Sequence, residues 1–293
     1  MRLVSFLRSA EESDPSGQGR LGALIGADVV DLAAAGAGVP ATMAELLALG
    51  PEGIARARAA LEAGGSGRRH ALSAVRLLAP VPRPGKILGV GRNYGAHAAE
   101  GGLALQEKPR IFVKLSSAVI GTGAPIRKPQ AVEKLDYETE LAVVVGRAGR
   151  DIAEGDALAH VAGYTILNDV SARELQFDVS PPQTSFAKSM DGFCPMGPAL
   201  ATAEEFADVG DIELRGFVNG EEVQHATTRD LIFPVGALVA YLSRFLTLMP
   251  GDVIATGTPS GVGAFRKPPR YLERGDVVRM EIAGIGVLEN EVV

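Results

Sequence analysis

An α+β, β-rich architecture is expected from three observations. Short apolar runs rich in Val, Ile and Leu recur between Gly and Pro turns over residues 87–282. Helical patterning is confined to a few short stretches. Strands and helices do not alternate regularly, which disfavours a doubly wound parallel sheet.

In chain order, residues 1–80 read as a small N-terminal α+β domain, rich in Ala, Gly and Leu. Runs 21–26 and 29–32 form two strands joined by a turn at Ala27-Asp28. Thr42-Met43-Ala44-Glu45 is a capping-box pattern, opening a helix that stops at Gly50-Pro51. A second helix is expected over 54–63, ending at Gly64-Gly65. Pro80, Pro82 and Pro84 fix φ and forbid a helix, so 80–85 reads as a linker and 81–293 as a second, catalytic domain. Strands are expected there at 87–90, 111–114, 140–145, 164–167, 213–218, 253–255 and 277–282. Asn219-Gly220 is a two-residue hairpin signal. Helices are expected at 153–159, 171–176 and 237–248.

Composition narrows the function classes. Of 293 residues, 46% are apolar and 22% charged, which is globular rather than disordered. Cys194 has no partner cysteine, so no internal disulfide framework exists. The longest run without Asp, Glu, Lys or Arg is 13 residues, as at 231–243. A membrane-spanning helix needs roughly 20 apolar residues. The opening Met1 to Arg8 regains charge too soon for a secretory signal. A net charge of −6 disfavours a nucleic-acid partner. The expectation is a cytoplasmic protein with a small-molecule partner, and neither nucleic acid nor membrane.

Five segments suggest chemistry. In DYETELAVVVG, if the strand begins at Glu138, Glu138 and Glu140 two apart share a face, where like charges repel. A hard divalent cation would offset that; the plainer alternative is a solvated strand edge. Asp169 follows the strand 164–167 where Ser171 and Glu174 suggest a helix start, and alone it reads equally as a cap. The three acids offer oxygen only, which suits Mg²⁺ or Mn²⁺ rather than Zn²⁺. His97 and Glu100 are three apart and would touch on a short helix, as a base dyad or as a surface pair. Lys188 precedes a turn, and the loop 256–263 could bring N–H groups to a carboxylate or be a tight turn. No phosphate loop and no G-x-G-x-x-G after a strand is present.

Together, GRNYGAHAAE, DYETELAVVVG, GYTILNDVSARELQ, FAKSMDGFCPMGP and PGDVIATGTPSGVG resemble the fumarylacetoacetate hydrolase family, in the expected order from about Lys86 to the end. The first 80 or so residues resemble the variable N-terminal region of its longer bacterial members. KPPRYLERGDVV at 267–278 looks most like members acting on diketo sugar acids and related dioates. The resemblance implies a mixed β-sandwich roll and a homodimer. It further implies Glu138, Glu140 and Asp169 as ligands of Mg²⁺ or Mn²⁺, His97 with Glu100 as a water-activating dyad on a lid segment, and Lys188 as stabiliser of negative charge. Arg173, Gln176 and Thr258 would hold substrate oxygens, with Lys114 nearby. The original hydrolase has a further aspartate ligand that the GRNY segment lacks, so water or a substrate oxygen would fill that position.

The implied activity is metal-dependent hydrolysis of a carbon–carbon bond in a β-diketo acid, acylpyruvate-like or a diketo-deoxy sugar acid, releasing pyruvate or a related keto acid. The alternative on the same site is an oxaloacetate decarboxylase or a 2-hydroxyhepta-2,4-diene-1,7-dioate-type isomerase. A competitor from another class is a ligand-binding protein that has lost catalysis. His70, His160 and His225 lack evident ligand-like partners. Cys194 is expected as a small buried hydrophobe. The apolar stretch 237–248 is expected as core or as part of a dimer interface.

Overall fold

The protein is described by a computed structural model over residues 1–8, 14, 16–34, 38–63, 68–102, 104 and 106–293. The chain begins with β1 (Arg2–Arg8), then a hairpin of β2 (Arg20–Ile25) and β3 (Asp28–Asp31). Next come α1 (Met43–Ala48), α2 (Pro51–Glu62), β4 (Arg69–Ala71) and β5 (Val75–Leu77). Thr42 and Glu45 form the expected capping box of α1. Helix α2 starts earlier than expected because Pro51 takes the first helical position, where its missing N–H costs nothing. Its expected stop at Gly64-Gly65 lies outside the described residues; Ala63 is the cap.

Past the prolines run β6 (Ile87–Gly91), α3 (Gly95–Glu100), β7 (Arg110–Lys114), β8 (Val119–Ile120), β9 (Leu135–Asp136), β10 (Thr139–Val145) and β11 (Val161–Asn168). They are followed by β12 (Ser171–Ala172), α4 (Thr184–Ala187), β13 (Cys194–Thr202), β14 (Glu213–Val218), β15 (Glu221–Thr227) and α5 (Val235–Ser243). The chain closes with β16 (Val253–Ala255), β17 (Val277–Ile282) and β18 (Gly286–Glu291).

One large sheet has the order β4-β3-β2-β1-β13-β11-β10-β16-β6-β7. Pairing of Arg2 with Ala201 and Leu3 with Leu200 joins the first strand to the rest of this sheet. A second, antiparallel sheet, β15-β14-β17-β18, packs against it. Strand β10 is buried along its length, and its alternate residues enter two cores. Leu141, Val143 and Val145 meet Leu214, Val278 and Met280 of the second sheet. Ala142 and Val144 face Leu46 and Leu47 of α1. Asn219 and Gly220 both have positive φ and close the β14–β15 hairpin as expected.

Several expectations are corrected. The helix over 171–176 is absent: Ser171 and Ala172 pair with Asp136 and Leu135, and a π-type turn runs Glu174–Asp178. Ser171 Oγ donates to the Asp169 carbonyl and accepts from Lys188, while the Glu174 carboxylate accepts from the Glu133 and Lys134 N–H groups. Both halves of the presumed capping box are therefore engaged in tertiary contacts. The 153–159 helix is a run of 3₁₀ turns, Glu154–His160. Helix α5 stops at Ser243, whose Oγ accepts from Ile152 N–H. His225, expected without partners, lies between Glu213 at 2.7 Å and Glu222 at 3.4 Å. Strand β13 was not expected, because Pro195, Gly197 and Pro198 interrupt its pattern, yet it is central.

Candidate active site

The ends of β10 and β11 are tied together by their backbones. Glu138 N–H donates to Asn168 Oδ1 at 3.1 Å, and Asp169 N–H donates to the Glu138 carbonyl at 2.9 Å. These two bonds bring one carboxylate oxygen each of Glu138, Glu140 and Asp169 within 4.8 Å of one another. All three side chains are buried, at 6%, 1% and 0% exposure. Such a cluster survives only with compensating charge.

Three buried cations supply most of that charge. Lys188 Nζ lies 2.5 Å from Asp169 Oδ2, 3.1 Å from Glu138 Oε2 and 2.6 Å from Ser171 Oγ. Lys114 Nζ donates to Asp169 Oδ1 at 2.6 Å and to the Lys188 carbonyl. Arg173 reaches Asp136 Oδ2 through Nε at 2.8 Å and Glu138 Oε1 through Nη1 at 2.7 Å. Burial works against the charged carboxylate of Glu138, but Lys188, Arg173 and His97 outweigh it and hold its pKa low. Burial also works against the Lys188 ammonium, and Asp169 and Glu138 overcome it, raising its pKa.

Glu140 stands apart. Its Oε2 accepts the Gly257 N–H at 2.8 Å, and among the described residues no cation pairs with it. Burial, then Asp169 and Glu138, push its pKa well above the usual carboxylate value. Four buried carboxylates, counting Asp136, thus face three buried cations, and the uncompensated one is Glu140. An oxygen-only donor set with excess negative charge fits a hard divalent cation. The lysine bonds do not preclude this, since each carboxylate oxygen has a second lone pair.

Glu138 and Glu140 open onto a cavity of about 200 Å³, whose wall also includes His97, Arg173, Gln176, Lys188 and Thr258. His97 lies on α3 with Nδ1 3.7 Å from Glu100 Oε2, close but beyond hydrogen-bond distance. That nitrogen is buried without a hydrogen-bond partner, and the ring packs 5.6 Å from Phe265. Glu100 accepts instead from Gly261 N–H, at 3.1 and 3.0 Å. Gly261 has φ +104, and a Cβ there would lie 1.9 Å from the Val223 carbonyl oxygen, so this loop position requires glycine. Thr258 Oγ accepts from Gln224 Nε2 at 2.8 Å. Gln176 Oε1 accepts from Arg173 Nη1 at 2.7 Å, while Arg173 Nη2 is buried with no partner. Lys114 and Asp169 lie behind this wall rather than in it.

The sequence reading missed two positioning residues. Asp136 accepts from Arg173 Nε and from the N–H groups of Gly263 and Ala264 at 2.8 and 2.9 Å. Its signal was its place in DYETE beside the two glutamates. Gln224 ties Thr139 N–H to Thr258 from the second sheet, and no local pattern marks it. Cys194 is buried, as expected, and burial raises its thiol pKa to about 12. No helix among the described residues is long and apolar enough to cross a membrane.

The family profile described as "Fumarylacetoacetate (FAA) hydrolase C-terminal" matches residues 86–293. A mitochondrial oxaloacetate tautomerase of Xenopus laevis is 42% identical over 297 residues, spanning 100% of this chain and 90% of that protein. A solved fumarylacetoacetate hydrolase from psychrophilic Exiguobacterium antarcticum is similar at TM-score 0.84 and 36% identity, over 100% of this chain and 99% of that one. A maleylpyruvate hydrolase from Sphingobium sp. SYK-6, solved with manganese(II) and pyruvate, is similar at TM-score 0.81 and 31% identity, with coverage of 100% and 99%.

Proposed function

Because the chain belongs to the fumarylacetoacetate hydrolase family, we propose that it is a divalent-metal-dependent enzyme that interconverts the keto and enol forms of a small 2-keto acid. The observation that carries this reading is the buried trio Glu138, Glu140 and Asp169 at a cavity wall, with Glu140 lacking a counter-charge. These three residues would hold Mg²⁺ or Mn²⁺; a manganese-containing relative supports the metal class. When bound, such a cation supplies Lewis-acid stabilisation to the oxygens of an enolised keto acid.

The chain's own groups do the rest. Lys188, held charged by Glu138 and Asp169, faces the developing oxyanion with a fixed positive charge. The unpartnered Nη2 of Arg173 is a donor for a substrate oxygen, and its role is supported by Asp136 and Gln176 holding the other guanidinium nitrogens. Thr258, already accepting from Gln224, has its hydroxyl proton left to donate to a substrate carboxylate. His97 takes the proton from the carbon beside the keto group and delivers it to the enolate oxygen, the same two transfers running in reverse from enol to keto; the unpaired, buried Nδ1 supports this role. Enolisation is favoured over other outcomes by relatives named as oxaloacetate tautomerases, similar over the whole chain.

A second reading is hydrolytic carbon–carbon cleavage of a β-diketo acid, with His97 and Glu100 activating water. Hydrolases among the similar structures favour it. A homodimer and a cytoplasmic setting belong to the same proposal.

The test is to follow the enol absorbance of oxaloacetate and of acetylpyruvate with protein and Mg²⁺ or Mn²⁺. The proposal expects metal-dependent enol-to-keto conversion of oxaloacetate without stoichiometric release of pyruvate. Full activity in excess chelator would overturn it. Rapid pyruvate release from acetylpyruvate would instead establish the hydrolytic reading.

A further inference from the structure

A second cavity, of about 1290 Å³, shares no lining residue with the metal cavity. Its walls come from β5 and the proline-rich stretch after it, from residues 116–125, and from the start of β18. Five glycines and three prolines line it, so few side chains reach in to fill it. Gly123 and Gly286 have φ of +75 and +132, backbone states that larger residues rarely adopt. Leu77, Val119 and Ile120 line it half-buried, and each borders a different core of the protein. The surfaces of three cores thus meet here without covering one another. No aromatic side chain is among the lining residues, which leaves no stacking surface for a base or other ring. The trough is aliphatic.

Its charge is opposite to that of the chain. Arg2, Arg76 and Arg83 line it against one acid, Glu289, while the whole chain carries −6. Glu289 already has a partner in Arg279, at 3.3 Å. None of the three arginines has an ion pair or side-chain hydrogen bond to a described residue. Arg83 lies across Gly17, its Nη2 2.9 Å from where a Gly17 Cβ would sit. Arginine forks match the two oxygens of a carboxylate. Unpaired guanidinium groups beside an aliphatic trough therefore suit a ligand with an anionic head and an aliphatic tail. A second copy of the chain suits it less, because a two-fold contact would set these arginines against their own counterparts.

We propose that this cavity binds a long-chain aliphatic carboxylate, its tail on Leu77, Val119 and Ile120 and its head among Arg2, Arg76 and Arg83. The site is separate from the metal cavity and does not depend on the keto-acid reading. Each methylene taken out of water strengthens binding by up to about fourfold. The arginines are partly or fully exposed, so water screens them and their combined effect is about tenfold.

The test is calorimetry of the full chain with dodecanoate, octanoate and dodecylammonium, each below its micelle concentration. Octanoate shortens the tail, and dodecylammonium reverses the charge of the head. Wild type should bind one dodecanoate per chain, and each of the other two at least about tenfold more weakly. Arg76, Arg83 and Ser117 line the cavity at exposed positions, so substitutions there leave the cores intact. Arg76→Glu/Arg83→Glu should weaken dodecanoate by at least about tenfold and abolish its advantage over dodecylammonium. Ser117→Trp, which fills the trough, should weaken dodecanoate to a similar degree. No binding of dodecanoate by wild type, equal binding of dodecylammonium, or undiminished binding by both variants overturns the proposal. A wild-type dimer that Ser117→Trp splits into monomers, read by light scattering, also overturns it, because a second copy then covers this face.

Discussion

Lys188 and Asp169 meet inside the protein at 2.5 Å, Nζ to Oδ2, while Lys114 takes the other Asp169 oxygen at 2.6 Å. One carboxylate thus serves two buried ammonium groups, and its neighbour Glu140 is left with a backbone N–H. Asp169→Asn should destabilise the metal-free protein by about 3–5 kcal/mol, because Lys114 loses its buried counter-charge and Lys188 keeps only Glu138. Thermal or urea unfolding without metal measures this. Unchanged stability would mean that the lysines are not held by Asp169.

His97→Asn separates metal binding from proton transfer. His97 contacts none of the three carboxylates directly, and its nearest acid is Glu100. Turnover should fall by ~10²–10⁴-fold, the usual contribution of a general acid–base group. Manganese affinity, read by calorimetry, should stay near the wild-type value. A variant that turns over at the wild-type rate would remove His97 from the chemistry.

Asp136 acts through Arg173. It fixes Nε at 2.8 Å and anchors the Gly263 and Ala264 N–H groups of the neighbouring loop. Asp136→Asn should raise KM by at least about tenfold, from one charge-assisted bond worth ~1.5–3 kcal/mol, with a smaller change in kcat. A merely structural role would lower stability without this KM–kcat split.

Asp276 gives the expected acid sensitivity. Burial acts to raise its carboxyl, but hydrogen bonds from Arg270, Glu273 N–H and Asn219 outweigh burial and hold it below its ordinary 3.8. A carboxyl with a depressed folded pKa stabilises the fold above its unfolded value and loses that contribution as pH falls through the folded value. The melting temperature of wild type should therefore drop more steeply than that of Asp276→Asn as pH falls from about 5 to about 3. Parallel curves would contradict the Arg270–Asp276 pairing.

The legible parts of this protein were those written in local sequence. The Thr42–Glu45 cap and the Asn219-Gly220 turn act within a few residues, and both form as expected. The i, i+2 spacing of Glu138 and Glu140 likewise needs no distant information, although the strand begins only at Thr139, and the structure brings Asp169 to them. The family and the β-rich α+β fold also follow the sequence reading. The failures are tertiary. Ser171 and Glu174 look like a helix start, yet their side chains bond to Lys188 and to the 133–134 backbone across the fold. Strand β13 forms despite two prolines and a glycine because β11 and β1 flank it. Gln224 reaches the site from the second sheet, 34 residues before Thr258, a relation that only the packed sheets create.

The most direct measurement is titration of Mn²⁺ into metal-free wild type and Glu140→Gln, with oxaloacetate enol-to-keto conversion followed on the same samples. Glutamine keeps the size of the side chain and can still accept the Gly257 N–H, so the change removes charge alone. Wild type should bind one Mn²⁺ per chain with activity rising in proportion, and the variant should lose both. Equal Mn²⁺ binding by the variant, or full activity of metal-free wild type in excess chelator, would contradict a metal held by Glu138, Glu140 and Asp169.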